Sequence, residues 1–186
     1  LQKTNKLCDS TRLFFTRENI DNAKLKGTNK DTIIYVSRQH AKSRKFGSDD
    51  EKKFYKKLEA VQNSIVIKFD GATESMHNAL SLFGSANVVI GIHGAGLSNV
   101  LFCKPGTTLI EFGFTNPMGS HFEHVAKSLG MNYLKYFISN RFEHGMSTEV
   151  VEIKDEILDE AIHFMDQMSN SNKKNIGEAR MAKSDL

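Results

Sequence analysis

The sequence predicts an α/β fold built around a mostly parallel β-sheet. From residue 30 onward, short apolar runs rich in β-branched residues alternate with segments of helical period. This alternation is typical of a parallel sheet wound with helices. The length of 186 residues suits one domain of common size, or one domain with a short appendage. The strands are predicted at residues 32–37, 64–69, 88–92, 108–112, 133–138 and 148–153.

The segments between these strands carry helix and turn signals. Ser48, before an acidic first turn, and Thr73, before Glu74, are predicted N-caps. Gly130, directly after Leu129, is predicted to end a helix. Pro105 and Gly106 predict a turn before the fourth strand, because proline restricts one dihedral and glycine frees the next. The helices are therefore predicted at residues 50–62, 74–85, 97–103, 121–129 and 155–167.

The two ends of the chain are less regular than its middle. Residues 1–30 are predicted to be a connecting segment, in which 12–16 could form a strand or part of a helix. Residues 31–168 form the predicted domain, and residues 169–186 a polar, frayed tail. Because the chain does not begin with methionine, we expect a fragment or a processed chain, with an anchor or a partner domain upstream.

Composition argues against several classes of function. The net charge is only +3 and the basic residues are dispersed, which disfavours nucleic-acid binding. No apolar run reaches the roughly 18 to 20 residues of a membrane span, and the polar start of the chain leads us to expect no signal peptide in it. Cys8 and Cys103 form neither a disulfide framework nor a metal-binding spacing, which mildly favours a reducing compartment.

The first strand is followed by a loop with two arginines. Ligands of a doubly wound sheet bind at the carboxyl ends of its strands. Arg38 and Arg44 lie six residues apart beyond such an end and could clamp phosphate oxygens, for which the planar guanidinium is suited. A solvated basic loop is the alternative.

A glycine-rich turn, His93-Gly94-Ala95-Gly96, follows the third strand. Glycines let the backbone approach an anion, and the free amides at a helix start favour negative charge. His93 could donate a hydrogen bond to a phosphate or act as a base. The alternative is that Gly94 and Gly96 only permit a tight turn and close helix packing.

Glu111 interrupts the apolar fourth strand near its end. A buried carboxylate needs a partner, and either a ribose diol or a pair with Arg38 or Arg44 would provide one. No metal site is expected, because His121 and His124 lack a third ligand at a suitable spacing. The acidic residues 49–51 are interpreted as helix capping.

Three stretches together resemble glycosyltransferase family 61: residues 37–44, 86–102 and 105–112. The resemblance extends from about residue 32 to about residue 165. It implies a GT-B architecture, of which this chain would be the C-terminal, Rossmann-like half. That half binds a nucleotide sugar without a metal or another cofactor, and the N-terminal half would lie outside this chain.

The resemblance also assigns roles to individual residues. Arg38 and Arg44 match the family's paired arginines, His93-Gly94-Ala95 its diphosphate turn, and Glu111 the carboxylate at the next strand end. Two positions depart from the pattern: Gly47, where an asparagine is frequent, and residues 78–79, where the family often has an acid followed by glutamine.

These observations predict a glycosyltransferase whose donor is a nucleoside diphosphate sugar, preferably a UDP-sugar. The sugar is expected to pass to a hydroxyl of a glycan or protein with inversion of the anomeric configuration. His93 is a candidate base, although phosphate contact is favoured. One alternative is an NAD-dependent oxidoreductase, since Gly94 and Gly96 begin a G-x-G-x-x-G pattern that fails at Asn99. Another is a non-catalytic nucleotide-binding domain. A bacterial cytoplasm and a eukaryotic secretory lumen both remain open.

Overall fold

A computed structural model of the protein describes residues 30–114, 121–138 and 150–168. Within these residues a parallel sheet of five strands forms the centre of the fold. The strands are β1 (Asp31–Val36), β3 (Ser64–Phe69), β4 (Val88–Ile92), β5 (Thr108–Phe114) and β6 (Asn132–Ile138). Their spatial order is β3-β1-β4-β5-β6. Two short strands, β2 (Lys45–Phe46) and β7 (Val150–Val151), pair in parallel beside it.

Helices cover both faces of the sheet, because both faces of its strands are apolar. They are α1 (Ser48–Glu59), α2 (Met76–Ser85), a 3₁₀ helix (Ala95–Phe102), α3 (His121–Ser128) and α4 over residues 155–168. Alternate strand residues pack on each side. Ile33 and Ile90 join α1 and α4, whereas Ile34 and Val89 join α2, the 3₁₀ helix and α3. The result is a Rossmann-like three-layer domain, which confirms the predicted fold class.

Most predicted elements are present, with shifted ends. The prediction was wrong about the cap of α2: Ser75, not Thr73, is the N-cap, and its hydroxyl accepts a hydrogen bond from the Asn78 N–H. The segment predicted as a helix over 97–103 is a 3₁₀ helix that begins at Ala95. Of the last predicted strand, 148–153, residues 148 and 149 lie outside the described residues; Val150–Val151 form a strand, which pairs with β2 and not with the large sheet, and residues 152–153 do not.

The terminal segments predicted at residues 1–30 and 169–186 lie almost entirely outside the described residues. That includes the ambiguous stretch 12–16. Their assignment therefore stays a prediction.

Candidate functional site

Successive strands are added to the sheet first on one side of β1 and then on the other, so the strand order reverses between β1 and β4. After β1 the chain builds β3 on one side, and then returns to build β4 and β5 on the other. Ligands of open α/β sheets bind at such a switch point, beyond the carboxyl ends of the strands. A cleft of about 350 Å³ lies there, lined by Ser37, Arg38, His40, Ala41, Asp70, Gly71, Ala72, Ala95, Gly96 and Asn99.

Arg38 brings an unbalanced positive charge to this cleft. Its Nε donates to the Arg44 carbonyl at 2.8 Å and its Nη2 to the Ser43 carbonyl at 3.2 Å. Burial lowers the pKa of Arg38, and the charge of Arg44 lowers it further. Within the described residues no carboxylate forms a salt bridge with this guanidinium. A half-buried cation held only by backbone carbonyls favours a bound anion.

Gly94 makes room for the guanidinium. A Cβ on Gly94 would lie 1.7 Å from Nη1 and 2.5 Å from Cζ of Arg38. The backbone of Gly94 is extended, so space and not conformation requires glycine here. On Gly96, a Cβ would meet Cγ1 of Val36 at 2.8 Å. The glycines therefore do permit close packing, and at Gly94 the group that approaches is the predicted phosphate ligand.

The 3₁₀ helix begins at the floor of the cleft. Its first backbone bond runs from the Leu97 N–H to the Gly94 carbonyl at 3.0 Å. Ala95 and Gly96 precede that donor and line the cleft. Amides at the start of a helix have no partner within the helix, so this turn offers hydrogen-bond donors beside Arg38.

Arg44 contributes through its backbone as well as its charge. It has a left-handed conformation, with φ of 57°, and its carbonyl accepts from Arg38. Arg44 does not line the cleft in this arrangement. The next two residues form β2, whose pairing with β7 closes the arginine loop against the domain.

His93 and Glu111 lie beneath the cleft instead of in its lining. Parallel register places Gly91 beside Glu111, so the end of β4 meets β5. The Glu111 carboxylate bonds to Nδ1 of His93 through one oxygen and accepts from the Tyr133 hydroxyl through the other. His93 is 3% exposed and Glu111 is 1% exposed. The ring of His93 also packs edge-on against His121.

The surroundings of Glu111 hold it ionised. Burial opposes ionisation, but the hydrogen bonds from His93 and Tyr133 outweigh it and keep the pKa of Glu111 below its ordinary value. Burial, followed by the hydrogen bond to Glu111, raises the pKa of Tyr133. In the described part of the chain, Glu111 thus pairs with His93 and Tyr133 and not with an arginine. Both carboxylate oxygens are occupied, which weakens the dinucleotide alternative, since that alternative needs them for a ribose diol.

Sequence reasoning missed the role of Glu51. Its carboxylate accepts from Tyr35 at 2.9 Å, from Ser37 at 2.6 Å and from Lys68 at 2.6 Å. The acidic run 49–51 had been interpreted as capping, yet Glu51 is only 5% exposed. Helical spacing was the available signal, because Glu51 precedes the buried Phe54 by three residues.

A histidine–aspartate pair was also missed. Nδ1 of His40, on the arginine loop, lies 2.5 Å from Oδ2 of Asp70, directly after β3. Both residues line the cleft. Asp70 is a polar residue at a strand end, the same signal that drew attention to the other two loops.

The described residues contain neither a metal-binding cluster nor a membrane-spanning helix. Across residues 30–114, 121–138 and 150–168, no group of three or more His, Cys, Asp or Glu side chains could hold a metal ion. In the same ranges, each helix is too short or too polar to cross a membrane.

Comparison with known proteins gives three similarities. The family model for glycosyltransferase 61 matches residues 5–110, which include each predicted site residue except Glu111. The Beta-1,2-xylosyltransferase of Arabidopsis thaliana is 33% identical over 84 residues, which are 45% of this chain and 15% of that protein. The matched part is thus a small share of that relative. A flavo di-iron protein of Thermotoga maritima aligns with a TM-score of 0.45 and 15% identity, over 87% of this chain and 40% of that one.

Proposed function

Because this chain belongs to glycosyltransferase family 61, we propose that its cleft binds the nucleoside diphosphate of a sugar donor. The donor is a UDP-sugar, and the sugar passes to a hydroxyl of a glycan or protein. The diphosphate lies in the cleft, in contact with both Arg38 and the turn that contains Gly94, Ala95 and Gly96, with Arg44 adding charge from the loop. The nucleotide part extends from there into the cleft.

The observation that carries the proposal is the state of Arg38. Its guanidinium is half-buried, bonded to two backbone carbonyls, and lacks a carboxylate partner among the residues described. Burial lowers the pKa of Arg38, and the nearby charge of Arg44 lowers it further. An anion bound beside Arg38 would offset both the cost of burial and the repulsion.

The chemistry asked of these groups is stabilisation of a leaving group. The acceptor hydroxyl gives its proton to a base as its oxygen attacks the anomeric carbon. The bond from that carbon to the phosphate oxygen breaks, and its electron pair stays on the diphosphate. Fixed cations and amides beside that oxygen stabilise the developing charge. Attack from the face opposite the diphosphate inverts the configuration. We propose that Arg38 and the turn amides supply this stabilisation without a metal ion.

His93 and Glu111 support the turn from below. Glu111 fixes Nδ1 of His93, which sets the orientation of the imidazole next to Gly94. Because His93 is buried, we propose that it supports the turn and does not deprotonate a bulky acceptor.

The remainder of the transferase is expected from a second, N-terminal half of a GT-B enzyme. The matched segment accounts for only 15% of the xylosyltransferase it resembles. We propose that the acceptor site and the base lie in that second half. The chain by itself is then expected to bind donor without transferring sugar, as a non-catalytic nucleotide-binding domain also would.

Calorimetry with UDP and UDP-xylose tests the proposal. We expect the 186-residue chain to bind both with EDTA present. Arg38→Gln should weaken binding by about tenfold or more, since it removes charge-assisted hydrogen bonds. The affinity of Arg38→Lys should lie between those of the wild type and Arg38→Gln, because lysine keeps the charge but lacks the planar guanidinium that can donate two parallel hydrogen bonds. Lys52→Gln, at an exposed position on α1, is the matched control.

Absence of heat at millimolar nucleotide, with protein shown to be folded by circular dichroism, would refute nucleotide-sugar binding. Binding that appears only when Mg²⁺ is added would refute metal independence alone. Sugar transfer assayed in the full-length protein with Arg38→Gln separates an enzyme from a non-catalytic relative.

A further inference from the structure

We propose that His40 is a second, proton-dependent ligand of the donor diphosphate, oriented by Asp70. This inference rests on the proposed function, and it adds a residue that neither the sequence analysis nor the family resemblance assigns. The observations that carry it are the His40–Asp70 contact and the position of both residues in the cleft beside Arg38.

The sheet brings the two residues together. Val36 and Phe69 are partners at the ends of β1 and β3, and the Ser37 N–H donates to the Phe69 carbonyl at 2.8 Å. The loops that follow these strands therefore leave the sheet side by side. His40 and Asp70 meet across them, with Nδ1 and Oδ2 2.5 Å apart.

Asp70 is the fixed member of the pair. Its Oδ1 accepts from the Ala72 N–H at 3.0 Å, and its own carbonyl accepts from the Thr73 and Glu74 N–H groups. Burial opposes ionisation of Asp70, but the bonds from Ala72 and His40 outweigh it and hold its pKa below the ordinary value. An ionised Asp70 therefore keeps a proton on Nδ1 of His40.

The other ring nitrogen is left for a ligand. With Nδ1 committed to Asp70, Nε2 of His40 has no protein partner among the described residues, and the side chain is 60% exposed. A protonated ring donates from Nε2, whereas a neutral ring offers a lone pair there. Only the protonated form attracts a phosphate oxygen.

The charges around the cleft favour the protonated form when an anion is bound. Arg38, Lys42 and Arg44 share the loop of His40, Asp70 faces it from the end of β3, and Lys68 precedes Asp70 on that strand. The 3₁₀ helix contributes no charged side chain. A bound diphosphate interacts more favourably with the imidazolium than with the neutral imidazole. Donor binding should therefore take up a proton.

Affinity should depend on pH in one direction. Where the imidazole is already protonated before the donor arrives, the donor binds at full strength. At higher pH, binding must also protonate the ring, so affinity falls. A UDP-sugar is the correct probe, because its diphosphate has no terminal phosphate that titrates in this range.

The experiment is calorimetry with UDP-xylose at about pH 5.5, 6.5 and 8, the range in which histidine side chains titrate in model peptides, and in buffers of different ionisation enthalpy. We expect wild-type affinity to fall by about tenfold across the range, the size of one charge-assisted hydrogen bond. His40→Gln should bind at all three pH values as the wild type does near pH 8, with no proton uptake. Asp70→Asn should weaken binding at the lowest pH, because the ring loses the carboxylate that orients it. His163→Gln, exposed on α4, should keep the wild-type profile.

Wild-type binding with a pH profile that His40→Gln leaves unchanged would overturn this inference and leave the proposed function standing. Failure of the wild type to bind UDP-xylose at every pH would overturn both. Thermal melting of each variant, compared with the wild type, identifies any change that comes from loss of folding.

Discussion

At the scale of single residues, the candidate site depends on the absence of a Cβ atom at Gly94. The guanidinium of Arg38 occupies the space that a Cβ of Gly94 would need, since the two would come within 1.7 Å. Arg38 is the flexible member, so an added methyl would move it away from the turn while the backbone stays in place. The methyl of an alanine at Gly96 would instead meet Val36, a buried residue of β1 that has less freedom to move.

Gly94→Ala is therefore expected to weaken UDP binding with little change in melting temperature, whereas Gly96→Ala lowers the melting temperature. Calorimetry and thermal melting measure the two effects. In the Arg38→Gln background, Gly94→Ala should have no further effect on binding, because residues in contact are not additive. Additive losses in the double variant would show that Gly94 acts independently of Arg38.

At the scale of elements, α1 holds the arginine loop through one carboxylate. Glu51, in the first turn of α1, accepts hydrogen bonds from Ser37 at the end of β1 and from Lys68 on β3. Asp49, two residues earlier, is 87% exposed and pairs with its helix neighbour Lys52 at 3.1 Å. One acidic run thus contains a buried anchor and a solvated surface charge.

Glu51→Gln should lower the free energy of unfolding by about 1–3 kcal/mol, because buried donors lose a charged acceptor. It should also weaken nucleotide binding, since Ser37 immediately precedes Arg38. Asp49→Asn is the control and should change stability by less than about 1 kcal/mol. Urea unfolding measures both variants, and equal effects would contradict an anchoring role for Glu51.

At the scale of the whole molecule, two ionised carboxylates link stability to pH. The pKa values of Glu111 and Asp70 are lowered from ordinary values of 4.5 and 3.8 by hydrogen bonds that overcome burial. A group whose pKa is lowered by folding contributes stability above its unfolded pKa, and that contribution is lost as pH falls through the folded value. The domain should therefore keep this stability at neutral pH and lose it in acid.

Melting temperature measured from neutral pH downward should stay level to about pH 5 and then fall. Glu111→Gln should start from a lower melting temperature and show a shallower fall, because one of the linked groups is gone. Asp159→Asn, at an exposed position on α4, serves as the control. An acid limb with unchanged slope in Glu111→Gln would remove Glu111 from this linkage.

The amino-acid sequence alone predicts the alternation of strands and helices and the places where strands end in polar loops. Strand runs such as Val88–Ile92 are short and apolar throughout, so they can be predicted from their own residues. For the same reason the arginine loop and the glycine turn could be chosen as site candidates before any contact was known. Parallel strands place their carboxyl ends at one edge, which made the meeting of these two loops predictable.

The partner of each buried polar group depends on the tertiary structure. Glu111 had three candidate partners in the sequence analysis and bonds to His93 and Tyr133, because register places β5 between β4 and β6. His40 meets Asp70 only because β3 lies beside β1. Such pairs join residues far apart in sequence, and strand order depends on the packing of the whole sheet rather than on local propensity. The charges of the cleft were therefore readable from the sequence, but their pairing was not.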